Sequence, residues 1–200
     1  MFWAIDTSLK SSCIDLTYVS TDSLHYQSLA VDYGALSLGV RPAAISTKYS
    51  RDLEFLQFHL SSLSQLGLPT PDLLVLLRPT SPLRDAHEID EAITYFLDNY
   101  DSLDSIRSVS ISRENPFKAW KYTPDSRFIE PVVGSLQDDF INSPRQILPQ
   151  TLWQNGNFDI LKPSVILSNS HLGSRVYPWL TSTLPLDIDT LEDFQGPRAM

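Results

Sequence analysis

The chain has a single cysteine, Cys13, in 200 residues, which excludes an internal disulfide framework and any thiolate cluster around zinc. Glycine is also scarce, with 7 in all and the first at Gly34, so the sequence contains no Gly-rich phosphate loop of the Walker or dinucleotide kind. Cations are outnumbered: 15 Lys and Arg against 24 Asp and Glu leave a net charge of −9, the opposite of what a non-specific nucleic-acid binder needs to displace counterions. Long apolar runs are missing as well. The longest aliphatic stretch, Leu73 to Leu77, falls far short of the ~18 residues a membrane span requires. The opening residues 1–6 show no basic region followed by an apolar stretch, the pattern of a secretory signal. The expectation is a cytoplasmic protein with neither nucleic acid nor membrane as partner. His25, His59, His87 and His171 form no metal-binding spacing and read as surface or interface residues. A serine-hydrolase elbow, Gly-x-Ser-x-Gly, is absent.

What is present is enough for a packed core, with 42% hydrophobic and 20% charged residues, the composition of an ordinary soluble domain. Helical patterning runs from Phe2 to Ser11, from a Ser23 cap to Tyr33 before Gly34, and from Ser50 to Leu66 before Gly67. Ile14 to Val19, Leu73 to Leu77, Ser105 to Ile111, Phe158 to Leu161 and Val176 to Leu180 read as strands. Leu73 to Leu77 is apolar on both faces and reads as the best core strand of a parallel sheet. Asp85 to Glu88 offers a capping box for a helix burying Ile89, Ile93, Phe96 and Leu97. Residues 119–133 alternate aromatic and polar around Pro124, Asp125 and Ser126, a predicted hairpin, and residues 134–154 look irregular. The alternation of helix and strand gives an α/β fold, in which ligands bind beyond the carboxyl ends of the strands. Asp22, the loop from Arg78 to Arg84, and Asp187 with Asp189 could all reach that edge.

Asp187 and Asp189 are two apart, so on an extended backbone both carboxylates project to one side. Hard-oxygen donors of this kind suit magnesium, which takes one or two carboxylates and completes its octahedron with water and phosphate. The same spacing also occurs at solvated turns. Arg78 and Arg84 flank a loop held extended by Pro79 and Pro82, and guanidinium forks bind carboxylate or phosphate in bidentate fashion; ordinary surface arginines would look the same. Lys118 and Arg145 add cations beside aromatics and prolines. Gln154, Asn155 and Gly156 combine two side-chain amides with a glycine, either a ligand approach or a turn leading into a strand.

Taken in order, these pieces resemble the acylneuraminate cytidylyltransferase family. The resemblance runs through residues 14–22, Tyr33-Gly34, Arg41-Pro42, the proline loop 76–84, residues 104–109, 116–118, 145–149, 154–156 and the closing Asp187-Ile188-Asp189-Thr190 tract. It implies a nucleotide-diphospho-sugar transferase-like, mostly parallel sheet flanked by helices, as one domain over residues 1–200, with a protruding dimerisation hairpin at about 117–135. It further implies that the anomeric hydroxyl of a sialic-type nonulosonic acid attacks the α-phosphate of CTP, releasing pyrophosphate, in the service of cell-surface glycan synthesis by a homodimer. By this resemblance Asp187 and Asp189 hold Mg2+ and Arg41 faces the nucleotide. Arg78, Thr80, Ser81, Lys118, Gln154 and Asn155 line the sugar side, and Arg145 takes the sugar carboxylate. Three positions depart from the family pattern: Arg78 stands where glutamine is common, Asp159 where an aromatic is common, and Lys48 where aspartate is common. The first two suggest a sugar acid other than the usual one, and the third bears on the nucleotide assignment of its own loop. The family's opening strand and its basic, Gly-bearing CTP loop lie before the first residue of this sequence. The expectation for the chain alone is weak or absent transfer, with a non-catalytic paralogue that binds sugar acid or pairs with a complete homologue as the alternative.

Overall fold

A computed structural model describes residues 1–138, 140–182, 186, 188, 190 and 193. The chain divides into two compact units, one formed by Met1–Ser108 with Asn155–Met200 and the other by Val109–Gln154. The first unit begins with α1 (Phe2–Lys10), β1 (Tyr18–Val19), α2 (Leu24–Asp32) and β2 (Leu36–Ser37). Ser23 caps α2 as its sequence predicts, its hydroxyl accepting from the Tyr26 N–H at 3.3 Å. The strand expected over 14–19 forms only at its last two residues, where Tyr18 and Val19 pair in parallel with Leu36 and Ser37. Residues 11–13 are instead drawn toward Asp90, whose carboxylate accepts from Ser11 Oγ and from the Ser12 and Cys13 amides. Burial works to raise the Asp90 carboxyl, but these hydrogen bonds win and bring it to about 2.

Then follow α3 (Asp52–Gln65), β3 (Leu74–Leu76), α4 (Ala86–Asp98), β4 (Ser105–Ile111), β5 (Trp120–Lys121), β6 (Glu130–Pro131), β7 (Leu152–Leu161), α5 (Pro163–Leu167) and β8 (Val176–Leu180). The main sheet has the order β3-β7-β4-β8, with β3 and β7 antiparallel and Val75 opposite Ile160. Helices cover both faces. On one, α4 buries Ile89, Ala92, Ile93 and Phe96 against Ile106, Phe158 and Ile160. On the other, Leu53, Leu56, Leu60 and Leu63 of α3 pack with Leu161 and Ile166, and Tyr18 and Leu74 lean on the same cluster. This is the α/β arrangement expected from the sequence.

Three details differ from the sequence reading. Within the apolar run at 73–77, β3 (Leu74–Leu76) is half-buried and, among the described residues, stands at the edge of the sheet with β7 on one side, and the most buried strand segments are in β4 and β7. Its Leu74 and Val75 serve the two opposite helical layers, which is why both faces read as apolar. The capping box of α4 is only half made: the Asp85 side chain accepts from the His87 N–H at 2.9 Å, but Glu88 is buried and accepts from the Ser182 N–H at 2.8 Å. Leu97, placed on the buried face by periodicity, is 51% exposed, and Ala92 takes that place.

In the second unit β5 and β6 pair antiparallel, Trp120 opposite Pro131 and Lys121 opposite Glu130, forming the predicted hairpin. Most of residues 134–151 is irregular, with short 3-10 turns at Phe140–Asn142 and Arg145–Ile147.

Candidate active site

The proline loop leaves β3 at Leu77 and is fastened from within. The Arg84 guanidinium donates to the carbonyls of Arg78, Ser81 and Asn157, so this arginine closes the loop onto itself and onto β7. Ser81 is fully buried and its hydroxyl donates to the Gly156 carbonyl at 3.2 Å. Gly156 has φ +72°, and a Cβ there would sit 3.3 Å from Ser81 Oγ. The left-handed backbone favours glycine here, and the approach of the loop leaves little room for a Cβ beside it. The tract predicted as a turn or a ligand contact is a kinked strand, with Asn155 buried, its side-chain Nδ2 donating to Thr181 Oγ1 at 2.8 Å and its Oδ1 accepting from the Asn157 N–H at 3.2 Å.

Thr80 links the loop to the end of the chain. Its carbonyl accepts from the Ile188 N–H at 2.8 Å, which brings the residue between Asp187 and Asp189 to the proline loop. Asp187 and Asp189 themselves lie outside the described residues.

Arg78 sits in a half-buried charge network centred on the buried Asp159. Its guanidinium donates to Asp52 at 2.5 Å and to Asp159 at 3.2 Å, and Arg107 donates to the same Asp159 at 2.8 and 3.0 Å. The Asp159 side chain is 2% exposed. Alternation along β7 puts Asp159 on the face of Leu161, beneath α3. Burial opposes the charge on Arg78, but Asp159 and Asp52 outweigh it and raise its pKa. The two departures noted at Arg78 and Asp159 are thus one feature, an ion pair. Asp52 and Arg107 carried no signal of their own, since any surface helix start or strand could hold them.

Arg41 lies over the Phe55 ring near the start of α3. Its backbone N–H donates to the Thr21 carbonyl at 2.8 Å, its guanidinium carbon stands 5.3 Å from the centre of the Phe55 ring, and its buried Nε has no partner among the described residues. His59, read from sequence as a surface or interface residue, is half-buried, with Nε2 2.6 Å from Ser20 Oγ. Burial and then the charge of Arg41 lower its pKa to about 4. His171 is lowered in the same direction, by burial first. His59 then takes up a proton on unfolding between about 4 and the free value near 6.5, and His171, lowered as well, adds to the same effect below that free value. Stability is accordingly full above pH ~6.5 and declines as the pH falls toward 4. We expect Tm to drop between pH 7 and 5, and His59→Gln to flatten the slope; a wild-type Tm constant over that interval would contradict these assignments.

In the second unit, Lys118 ends the turn Pro116–Lys118 and is exposed. Arg145 is exposed, donating to the Arg113 carbonyl at 3.2 Å. Gln154 lies exposed on β7. The structure therefore brings Arg78, Ser81, Asn155 and the Thr80–Ile188 link together in the first unit and places Lys118, Arg145 and Gln154 in the second. Among the described residues no group of three or more His, Cys, Asp or Glu could hold a metal, and no helix is long and apolar enough to cross a membrane.

No family model matches the chain. It is 28% identical over 198 residues, 97% of its length, to an N-acylneuraminate cytidylyltransferase of Streptococcus agalactiae serotype V. It is 32% identical over 115 residues, 56% of its length, to an N-acylneuraminate cytidylyltransferase of Escherichia coli O18:K1:H7. The chain spans 45% and 25% of those two proteins. The solved structure of CMP:2-keto-3-deoxy-manno-octonic acid synthetase complexed with CTP superposes with a TM-score of 0.59 at 10% identity, covering 92% of this chain and 80% of that one, a likeness of fold. Over nearly its whole length the chain is similar in sequence to an N-acylneuraminate cytidylyltransferase of Streptococcus agalactiae.

Proposed function

We propose that the chain takes part in transfer of CMP from CTP to a nonulosonic, sialic-type sugar acid. The observation that carries this reading is the correspondence over 97% of its length with a protein named for that reaction. The anomeric hydroxyl of the sugar acid attacks the α-phosphorus of CTP, its proton passes to solvent or a base, and pyrophosphate leaves. Such a reaction is governed by positioning and by neutralising phosphate charge.

Asp187 and Asp189 are the proposed magnesium ligands. The fit rests on their hard-oxygen donors and on the Ile188–Thr80 hydrogen bond, which ties the residue between them to the proline loop. Magnesium bound there would withdraw charge from the phosphates. Arg41 faces the nucleotide in this reading. Thr80, Ser81 and Asn155 shape the sugar side through backbone and buried hydrogen bonds, as does Arg78, whose guanidinium is engaged by Asp52 and Asp159. Lys118, Gln154 and the exposed Arg145 supply the remaining contacts, Arg145 to the sugar carboxylate. The hairpin, with Tyr122, Phe128, Ile129 and Val132 exposed, is the proposed surface for a second copy, since apolar groups gathered on so small a unit favour association. Cytoplasmic localisation belongs to the same reading.

Thermal shift against a panel of nucleoside triphosphates with magnesium tests the nucleotide directly, because a ligand of the native state raises Tm. CTP is expected to raise it and UTP, ATP and GTP to leave it unchanged. A panel in which another nucleotide acts, or none does, contradicts the reading.

A further inference from the structure

Glu88 and Asn155 are buried polar side chains on different elements, α4 and β7, and both spend a hydrogen bond on the same short stretch of chain. Glu88 Oε1 accepts from the Ser182 N–H at 2.8 Å, and Asn155 Nδ2 donates to Thr181 Oγ1 at 2.8 Å. Thr181 and Ser182 directly follow β8, which ends at Leu180. Further along the same segment, the Ile188 N–H reaches the Thr80 carbonyl at 2.8 Å. The segment is therefore tied at its start to α4 and β7 and, at the residue between Asp187 and Asp189, to the proline loop.

The residue chosen for the first tie is informative. Glu88 lies in the first turn of α4, where a glutamate can turn back to the N-cap amide of its own helix. It reaches instead across 94 positions of sequence to Ser182. Keeping a carboxylate at 7% exposure costs free energy that an apolar side chain would not, and an apolar side chain would cover the chain equally well. What the carboxylate adds is direction, because a hydrogen bond fixes both the place and the orientation of the Ser182 amide. Its footing is firm: the next residue, Ile89, is 0% exposed in the α4 core, and the Thr80 end is held by the Arg84 bonds that close the proline loop.

We propose that Glu88 is a positioning residue for the segment that carries Asp187 and Asp189: with Asn155 it anchors the start of that segment, so that the residue between the two aspartates stays on Thr80 and the pair is available to a divalent cation. This inference rests on the reading of Asp187 and Asp189 as magnesium ligands. Two carboxylates gathered at one cation repel each other before it binds, and a segment already held at both ends has less freedom left to lose when it does.

The test is titration of the full chain with Mn2+, followed by the electron paramagnetic resonance of the free ion. Mn2+ takes the same octahedral oxygen donors as magnesium, and the readout needs no turnover. The binding that disappears in Asp189→Ala defines the site. Glu88→Ala is expected to weaken it about tenfold, the lower end of what losing a ligand's supporting partner costs. Glu88→Gln, which keeps an acceptor oxygen for the Ser182 N–H, should return to within about threefold of wild type, and Thr181→Val, which removes the second anchor, should be about threefold weaker. A merely structural role would lower Tm in Glu88→Ala and leave the Mn2+ dissociation constant where it was. That result, or a Glu88→Gln variant as weak as Glu88→Ala, would overturn the inference. If Glu88→Ala does not fold, Thr181→Val decides it on the same readout, an unchanged dissociation constant overturning it. A wild-type chain with no Mn2+ binding that Asp189→Ala removes overturns instead the metal reading beneath it.

Discussion

Asp159→Ala is expected to destabilise the first unit by about 3–5 kcal/mol, the cost of breaking a buried ion pair from one side. The carboxylate is 2% exposed and is shared by two guanidinium groups whose own side chains are only 24% and 18% exposed. Removing it takes away the one carboxylate that both guanidinium groups share, Arg78 keeping Asp52 and Arg107 its other contacts. The repulsion between them then adds to the lost attraction. Asp159→Asn keeps the shape and one acceptor oxygen and should cost less. Urea denaturation followed by circular dichroism measures both. A loss below about 1 kcal/mol for Asp159→Ala would mean that the network is solvent-screened like a surface pair, against the burial described above.

Phe158→Ala is expected to cost a further independent amount of about 3–5 kcal/mol, through lost burial and the cavity left behind. Phe158 is 1% exposed at the centre of the α4 face, in one cluster with Ile89, Ile93, Phe96, Ile106 and Ile160. Its backbone N–H is held by Ser108 Oγ at 2.9 Å, so the strand cannot shift to refill the space. Phe158→Leu, which keeps most of the volume, should cost markedly less, as size-conserving changes do. Equal losses for the two variants would show that the ring is not packed as described. Asp159 points to the opposite face of β7, so the effects of residues 158 and 159 report on the two helical layers separately.

The helices were the most legible part of the fold because each carries both a period and a punctuation mark. Ser23 and Gly34 bracket α2, Gly67 follows α3, and Asp85 opens α4, and each boundary falls within two residues of its sequence reading. The strands β4 and β8 were read correctly for the same kind of reason, being flanked by polar breaks. The rank of Leu73–Leu77 within the sheet was not legible. An apolar run reports burial between layers, and an edge strand whose two faces both meet helices gives the same signal as a central one.

At the site, the motif positions Arg41, Thr80, Ser81 and Asn155 could be named from order along the chain, but what each does could not. Ser81 and Asn155 are buried and satisfied by Gly156 and Thr181, a role that depends on neighbours more than 20 residues away. The pairing of Arg78 with Asp159 spans 81 positions and appeared in the sequence only as two unconnected departures from a pattern. His59 was misjudged because a lone histidine in an amphipathic helix says nothing of its neighbours; only the fold brings Ser20 and Arg41 beside it.

The most direct measurement is pyrophosphate release by the 200-residue chain supplied with CTP, magnesium and a small panel of nonulosonic acids. The account predicts release that is weak but measurable, that depends on one sugar acid and on CTP and that disappears in Asp189→Ala, with Arg145→Ala raising the KM for the sugar acid. A folded chain, shown by its cooperative unfolding, that releases no pyrophosphate with any acid in the panel would contradict the assignment of this activity to the chain.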